Sequence, residues 1–96
     1  MQSINPATGQ ITQSFSIWQA DQISSALNQV ESAQAAWAAL GYEQRGQLFR
    51  QLAQVFRQNS ESYACLITEE MGKLLREARA EIEKCAIGCE HYADHA

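Results

Sequence analysis

The chain has 96 residues, 46% of them apolar and 19% charged, with a single proline and five glycines, which describes one small unit and leaves no room for a second domain. On folding, a chain of this size buries about 65% of its unfolded surface, enough for one modest core but not for a core plus a large enclosed substrate cleft. Seven Lys and Arg against eleven Asp and Glu give a net charge of −4, which repels a nucleic-acid backbone.

No stretch approaches the ~20 continuous apolar residues of a membrane span, and the N-terminus lacks the basic-then-apolar order of a signal peptide. A cytoplasmic location is expected, with no nucleic-acid or membrane partner. Three cysteines, Cys65, Cys85 and Cys89, are an odd number without an export signal, which favours free thiols over a disulfide framework. Charge is uneven along the chain: up to Tyr42 only Asp21 and Glu31 are charged, and all seven bases lie beyond it. Fifteen alanines and twelve glutamines tilt the whole toward helix.

In chain order, Ile4-Asn5-Pro6-Ala7-Thr8-Gly9-Gln10-Ile11 comes first and sets turn chemistry between two apolar positions, Pro6 fixing φ and Gly9 supplying a permissive one. Ile11, Phe15 and Ile17, with Gln13 among them, keep the even spacing of an edge strand. A hairpin is therefore expected over about 2–17. Asp21 then suits an N-cap, and Ile23, Ala26, Leu27, Val30, Ala33, Trp37 and Leu40 recur at threes and fours until Gly41. This predicts a helix over about 22–40.

A second stripe of Leu48, Phe49, Leu52, Ala53, Val55 and Phe56 predicts a helix over 43–58, with Asn59-Ser60 placed to cap the next helix. Tyr63, Ala64, Leu66, Ile67 and Met71 mark that third helix, over 60–71, closed by Gly72. Leu75, Ala78, Ile82, Cys85, Ala86, Cys89, Tyr92 and Ala93 mark a fourth, over 74–94. Gly88 interrupts that last stripe and costs it about 1 kcal/mol relative to Ala. The fold class is mainly α, about four helices after a short N-terminal β-hairpin.

Chemistry is sparse. Gly9, Gly41, Gly46, Gly72 and Gly88 never form the G-x-G-x-x-G of a dinucleotide cradle. Gly41 and Gly46 have the separation of a phosphate loop, but Gln47-Leu48 stands where Lys-Ser/Thr must be, so they read as a helix boundary. Cys85, Cys89, His91 and His95 lie within eleven residues, yet at 100° per residue the cysteine pair and the histidine pair face widely different directions on one helix. A zinc site also needs a turn between its pairs.

The three cysteines fall on apolar faces and read as core packing, not as nucleophiles. Glu69, Glu70, Glu77 and Glu81 resemble paired acids but are interleaved with Lys73, Arg76, Arg79 and Lys84, as on a solvated helix face. Glu69 and Lys73 have a favourable i,i+4 orientation. Trp18, Trp37, Phe49 and Phe56 read as core or interface anchors before they read as a stacking platform. No residue is assigned a catalytic, cofactor-binding or metal-ligating role.

The order Ile4-Asn5-Pro6-Ala7-Thr8-Gly9, a helix ending in Ala35-Ala36-Trp37, Arg45 opening the next, Glu70-Met71-Gly72-Lys73, Glu77-Ala78-x-x-Glu81 and Tyr92-Ala93 resembles the start of the aldehyde dehydrogenase superfamily. Ile67-Thr68-x-Glu70-Met71-Gly72-Lys73 and Glu77-Ala78-Arg79-Ala80-Glu81 look most like its bacterial NAD(P)-dependent succinate-semialdehyde dehydrogenases. The resemblance implies an N-terminal piece of an α/β enzyme of several hundred residues, with residues 1–96 a single partial unit of its cofactor domain. In such an enzyme a cysteine attacks the aldehyde, hydride passes to NAD or NADP, and a glutamate-activated water hydrolyses the thioester.

The nucleophile, general base, oxyanion-hole asparagine and cofactor-binding groups of that family lie downstream, so this chain alone is expected to be inactive and to bind no cofactor. Its expected partners are the remainder of the enzyme, or copies of itself through exposed apolar faces. The alternative is a stand-alone helical interaction or dimerisation module. Where the family usually reads Gly-Lys-Pro this chain has Gly72-Lys73-Leu74, which removes a fixed φ and allows the fourth helix to start earlier.

Overall fold

A computed structural model describes residues 1–95. Two short strands, β1 (Gln2–Ile4) and β2 (Ile11–Ser14), precede four helices, α1 (Ala20–Ala39), α2 (Tyr42–Gln58), α3 (Ser60–Met71) and α4 (Leu75–His95). This is the four-helix, one-hairpin class that periodicity and turn chemistry indicate.

The strands pair antiparallel, Gln2 with Ser14, Ser3 with Gln13 and Ile4 with Ile11, with an irregularity after Ser3. Asn5 organises the turn. Its carbonyl accepts from Gly9 N–H at 2.8 Å, its own N–H donates to the Gln10 carbonyl at 2.9 Å, and its side-chain Oδ1 accepts from Ala7 N–H at 2.9 Å. Gly9 closes the turn at φ 71°, where a side chain would be strained. Phe15 still exchanges bonds with Met1 beyond the ladder. Ile17 lies past the end of β2.

Helix ends depart from expectation in three places. The N-cap of α1 is Gln19, two residues before Asp21, because the Gln22 side chain reaches back to accept from the Gln19 N–H at 2.9 Å. Asn59 links α2 directly to α3 but its side chain serves the earlier helix, donating to the Val55 carbonyl at 2.9 Å. The fourth helix does not begin early. Gly72 ends α3 in the left-handed region at φ 69°, and the Leu74 carbonyl accepts the first bonds of α4 from Glu77 and Ala78.

Packing is unequal. α4 lies along both α2 and α3, while α1 packs to a comparable extent against no other element. Ala53, Ala64, Ala78, Ile82 and Ala86 form the buried core. Four of these five contribute a single methyl, so the helices approach closely and the apolar area removed from water is small. Gly46 continues this logic: it is buried inside α2, and a Cβ there would stand 3.0 Å from the Ala93 carbonyl oxygen of α4. It is a packing glycine within the helix. The helix-boundary reading holds for Gly41, the N-cap of α2, and not for Gly46.

The molecule is consequently broad and thin, 47 × 38 × 17 Å, with a radius of gyration of 17.3 Å. A compact chain of this length has about 12–13 Å.

Candidate functional site

Three ion-pair clamps join α4 to its neighbours. Arg57 of α2 lies between Glu83 and Glu90 of α4, donating to Glu83 from Nε at 3.1 Å and to Glu90 from Nη2 at 2.9 Å. Arg79 of α4 grips Glu61 of α3 through two bonds of 2.8 and 2.7 Å, and Arg50 of α2 holds Asp94 at 2.7 Å. The bonds to Glu90 and then Glu83 raise the Arg57 pKa, and the bond to Arg57 lowers that of Glu90. Glu61 is likewise lowered by its hydrogen bond to Arg79. These charges do more than solvate a helix face, since forked guanidinium bonds fix how the helices meet.

The acids singled out in sequence separate. Glu69 does not meet Lys73 along one helix, because α3 ends at Met71; Lys73 pairs instead with Glu81, two turns into α4. Glu70 accepts from the Ser3 hydroxyl at 2.9 Å, tying α3 to β1. Beside them Gly72 meets the hairpin, where a Cβ would lie 3.0 Å from Pro6 Cγ. Asn5-Pro6 and Glu70-Met71-Gly72-Lys73, more than sixty residues apart in sequence, thus meet at one corner with Glu81. Their arrangement is architectural: a turn seated on a helix-to-helix bend and fastened by two polar contacts.

The cysteines are not a shared core. Cys85 is exposed, and Cys65 and Cys89 are half-buried. The core side of α4 is held by Ala78, Ile82 and Ala86, and Cys85 is displaced about 60° from Ile82 around the helix. His91 and His95 stack with ring centroids 4.4 Å apart, near the end of α4, and both are exposed. Among the described residues no three His, Cys, Asp or Glu side chains are grouped to hold a metal ion.

The aromatic residues also divide. Trp37 and Phe49 line a crevice of about 450 Å³ with Tyr42, Arg45, Gly46 and Tyr92, and the Arg45 guanidinium lies 4.6 Å from the Tyr42 ring centroid. Phe56 packs edge-on against Tyr63 at 6.2 Å, and Trp18 borders a separate groove on α1.

A dinucleotide does not fit these residues. Among the described residues the two strands form a hairpin, and no parallel strand leads into a glycine-rich turn. Gly9 and Gly72 are committed to turns, Gly41 to a cap, Gly46 to a helix contact and Gly88 to the interior of α4.

The aldehyde dehydrogenase family model matches residues 1–96. The chain belongs to the aldehyde dehydrogenase family. A probable succinate-semialdehyde dehydrogenase [NADP(+)] of Synechocystis is 38% identical over 94 residues, 98% of this chain and 21% of that protein. The Escherichia coli succinate semialdehyde dehydrogenase [NAD(P)+] Sad is 38% identical over 93 residues, 97% of this chain and 20% of that protein. The crystal structure of the Streptococcus pyogenes succinic semialdehyde dehydrogenase in complex with NADP+ superposes with a TM-score of 0.89 at 29% identity, over 97% of this chain and 21% of that one.

The chain thus spans about a fifth of the length of the aldehyde dehydrogenases it matches. The corner joining Asn5-Pro6 to Gly72-Lys73 is carried by the residues on which the family likeness rests. The Arg57 clamp is not evident from sequence motifs; its signal is the placing of Glu83 and Glu90 seven residues apart, on one flank of the Ala78, Ile82 and Ala86 stripe.

Proposed function

We propose that these residues form the amino-terminal segment of an NAD(P)-dependent aldehyde dehydrogenase of the succinate-semialdehyde type, acting in the cytoplasm. The observation that carries this reading is the match of nearly the whole chain to about a fifth of each relative. In the complete enzyme the segment's contribution is structural. The Pro6–Gly72 corner and the Arg57 and Arg79 clamps hold a helical layer, and α1 and the Trp37 crevice present apolar surface to the remainder of the polypeptide.

No catalytic or cofactor-binding role falls to any residue of the segment, and no step of aldehyde oxidation is routed through it. The test is NAD(P)H formation from succinate semialdehyde by the purified 96-residue chain, with NAD and with NADP. Absorbance indistinguishable from buffer is expected; turnover by the chain alone overturns the assignment of a purely structural role.

A further inference from the structure

Among the bases, Arg50, Arg57, Lys73 and Arg79 each hold a carboxylate, and Arg76 and Lys84 are exposed to water. Arg45 belongs to neither group. It is half-buried, it enters no ion pair among the described residues, and its Nε is shut off from water without an acceptor. A buried donor left unsatisfied is costly, and more so when it is charged.

Local structure gives no reason for this charge. Arg45 lies in the first turn of α2, where the helix dipole disfavours a cation. The acids on neighbouring turns are committed elsewhere: Glu43 accepts from Gln47, and Asp94 is held by Arg50. The guanidinium lies instead over the Tyr42 ring, in the wall of the crevice that Trp37, Phe49 and Tyr92 also line. Its donors lie in its own plane, so an aromatic ring against its face leaves them unmet.

We propose that Arg45 makes this crevice a docking site for a carboxylate, supplied in the complete enzyme by an Asp or Glu side chain of the polypeptide beyond residue 96. The inference rests on the reading of the chain as an amino-terminal enzyme segment and adds the chemistry of the contact. Charge complementarity chooses the occupant. A carboxylate matches the guanidinium fork with two bonds, as Glu61 does for Arg79, whereas a main-chain carbonyl accepts a bond and leaves the positive charge uncompensated in an apolar wall.

The crevice volume of about 450 Å³ is that of a site for a body with apolar surface and exceeds the needs of a bare ion. The acid therefore enters beside an apolar neighbour, which covers Trp37 and Tyr92, now 39% and 65% exposed. Once covered, the pair is shielded from water.

The test uses residues 1–96 fused to the remaining four-fifths of the Escherichia coli relative. Its crystal structure is expected to show an Asp or Glu from beyond residue 96 within hydrogen-bond distance of the Arg45 guanidinium. Arg45→Met should speed thermal inactivation of the fusion by roughly 10-fold or more, because one charge of a covered pair is left alone. Exchanging the charges, Arg45→Glu together with Arg in place of the facing acid, should recover most of the loss that either reversal causes alone, a result that does not depend on the folding of the Arg45→Met variant.

A main-chain carbonyl, a solvent anion or open water facing Arg45, an unchanged inactivation rate, or no recovery on exchange overturns the proposal. Aldehyde oxidation by the unaltered fusion separates this from the reading beneath it. An inactive fusion overturns the enzyme-segment reading and the proposal with it, whereas an active fusion with Arg45 unpaired overturns the proposal alone.

Discussion

Alanine at two glycines should move stability in opposite directions. Gly72 has φ 69°, and a Cβ there would stand 3.0 Å from Pro6 Cγ; Gly88 lies inside α4, where a Cβ would meet nothing within 4 Å. A non-glycine residue in the left-handed region costs about 1–2 kcal/mol, and crowding of the proline ring adds to this. The stiffer unfolded chain returns about 0.4–1 kcal/mol. Gly72→Ala is therefore expected to destabilise by about 1–2 kcal/mol, and Gly88→Ala to stabilise by about 1 kcal/mol through helix propensity alone.

Urea midpoints tracked by circular dichroism at one fixed protein concentration measure both. At roughly 4–8 °C per kcal/mol for a chain of this size, the two variants should also separate clearly in thermal melts. A Pro6→Ala background isolates the steric share: Gly72→Ala should cost less there, because the ring it crowds is gone, while the backbone strain remains. If Gly72→Ala is neutral, or costs the same with and without Pro6, the account of the hairpin corner is wrong.

The packing and the family match imply three further outcomes. The folded-state pKa values of Glu61 and Glu90 lie below the ordinary 4.5, so the stability these groups contribute is complete above about pH 4.5 and is lost as pH falls through their lowered values. Urea midpoints should drop on acidification below that point, and the drop should be smaller in an Arg57→Gln, Arg79→Gln double variant; equal slopes would refute the clamps. Ala86→Leu, at a position with no exposed surface, should cost about 1–3 kcal/mol by overpacking, seen as an earlier urea midpoint, and an unchanged midpoint would show that α4 does not pack as described. Succinate semialdehyde and NADP should yield no NADPH with the 96 residues alone, a null that fusion to the remaining four-fifths of a relative should reverse.

The elements themselves are legible in the sequence because they are local. Threes and fours of apolar residues announce each helix, and Asn5, Pro6 and Gly9 announce the turn between the strands. Glu69 and Lys73 show where local reading stops. Their i,i+4 spacing holds only on a continuous helix, and the left-handed Gly72 redirects the chain so that Lys73 meets Glu81 instead. Cys85 shows the same limit: it belongs to the apolar stripe of α4 by spacing, yet Ala78, Ile82 and Ala86 occupy the buried side. The family likeness is also legible, in motifs whose two halves the fold brings into contact.

By itself the sequence determined helix and hairpin content, the turn glycines, the acidic balance and the family, since each depends on a residue and its near neighbours or on an ordered run of them. Tertiary structure alone decided which charges became clamps, that Gly46 serves the approach of α2 to α4, and that α1 buries no residue while Ala53 of α2 and Ala78, Ile82 and Ala86 of α4 are buried and Leu48, Leu52 and Val55 of the α2 stripe stay exposed. The physical reason is that periodicity establishes that one side of a helix is apolar, whereas burial requires a second surface, and that surface is set by how distant parts of the chain are placed.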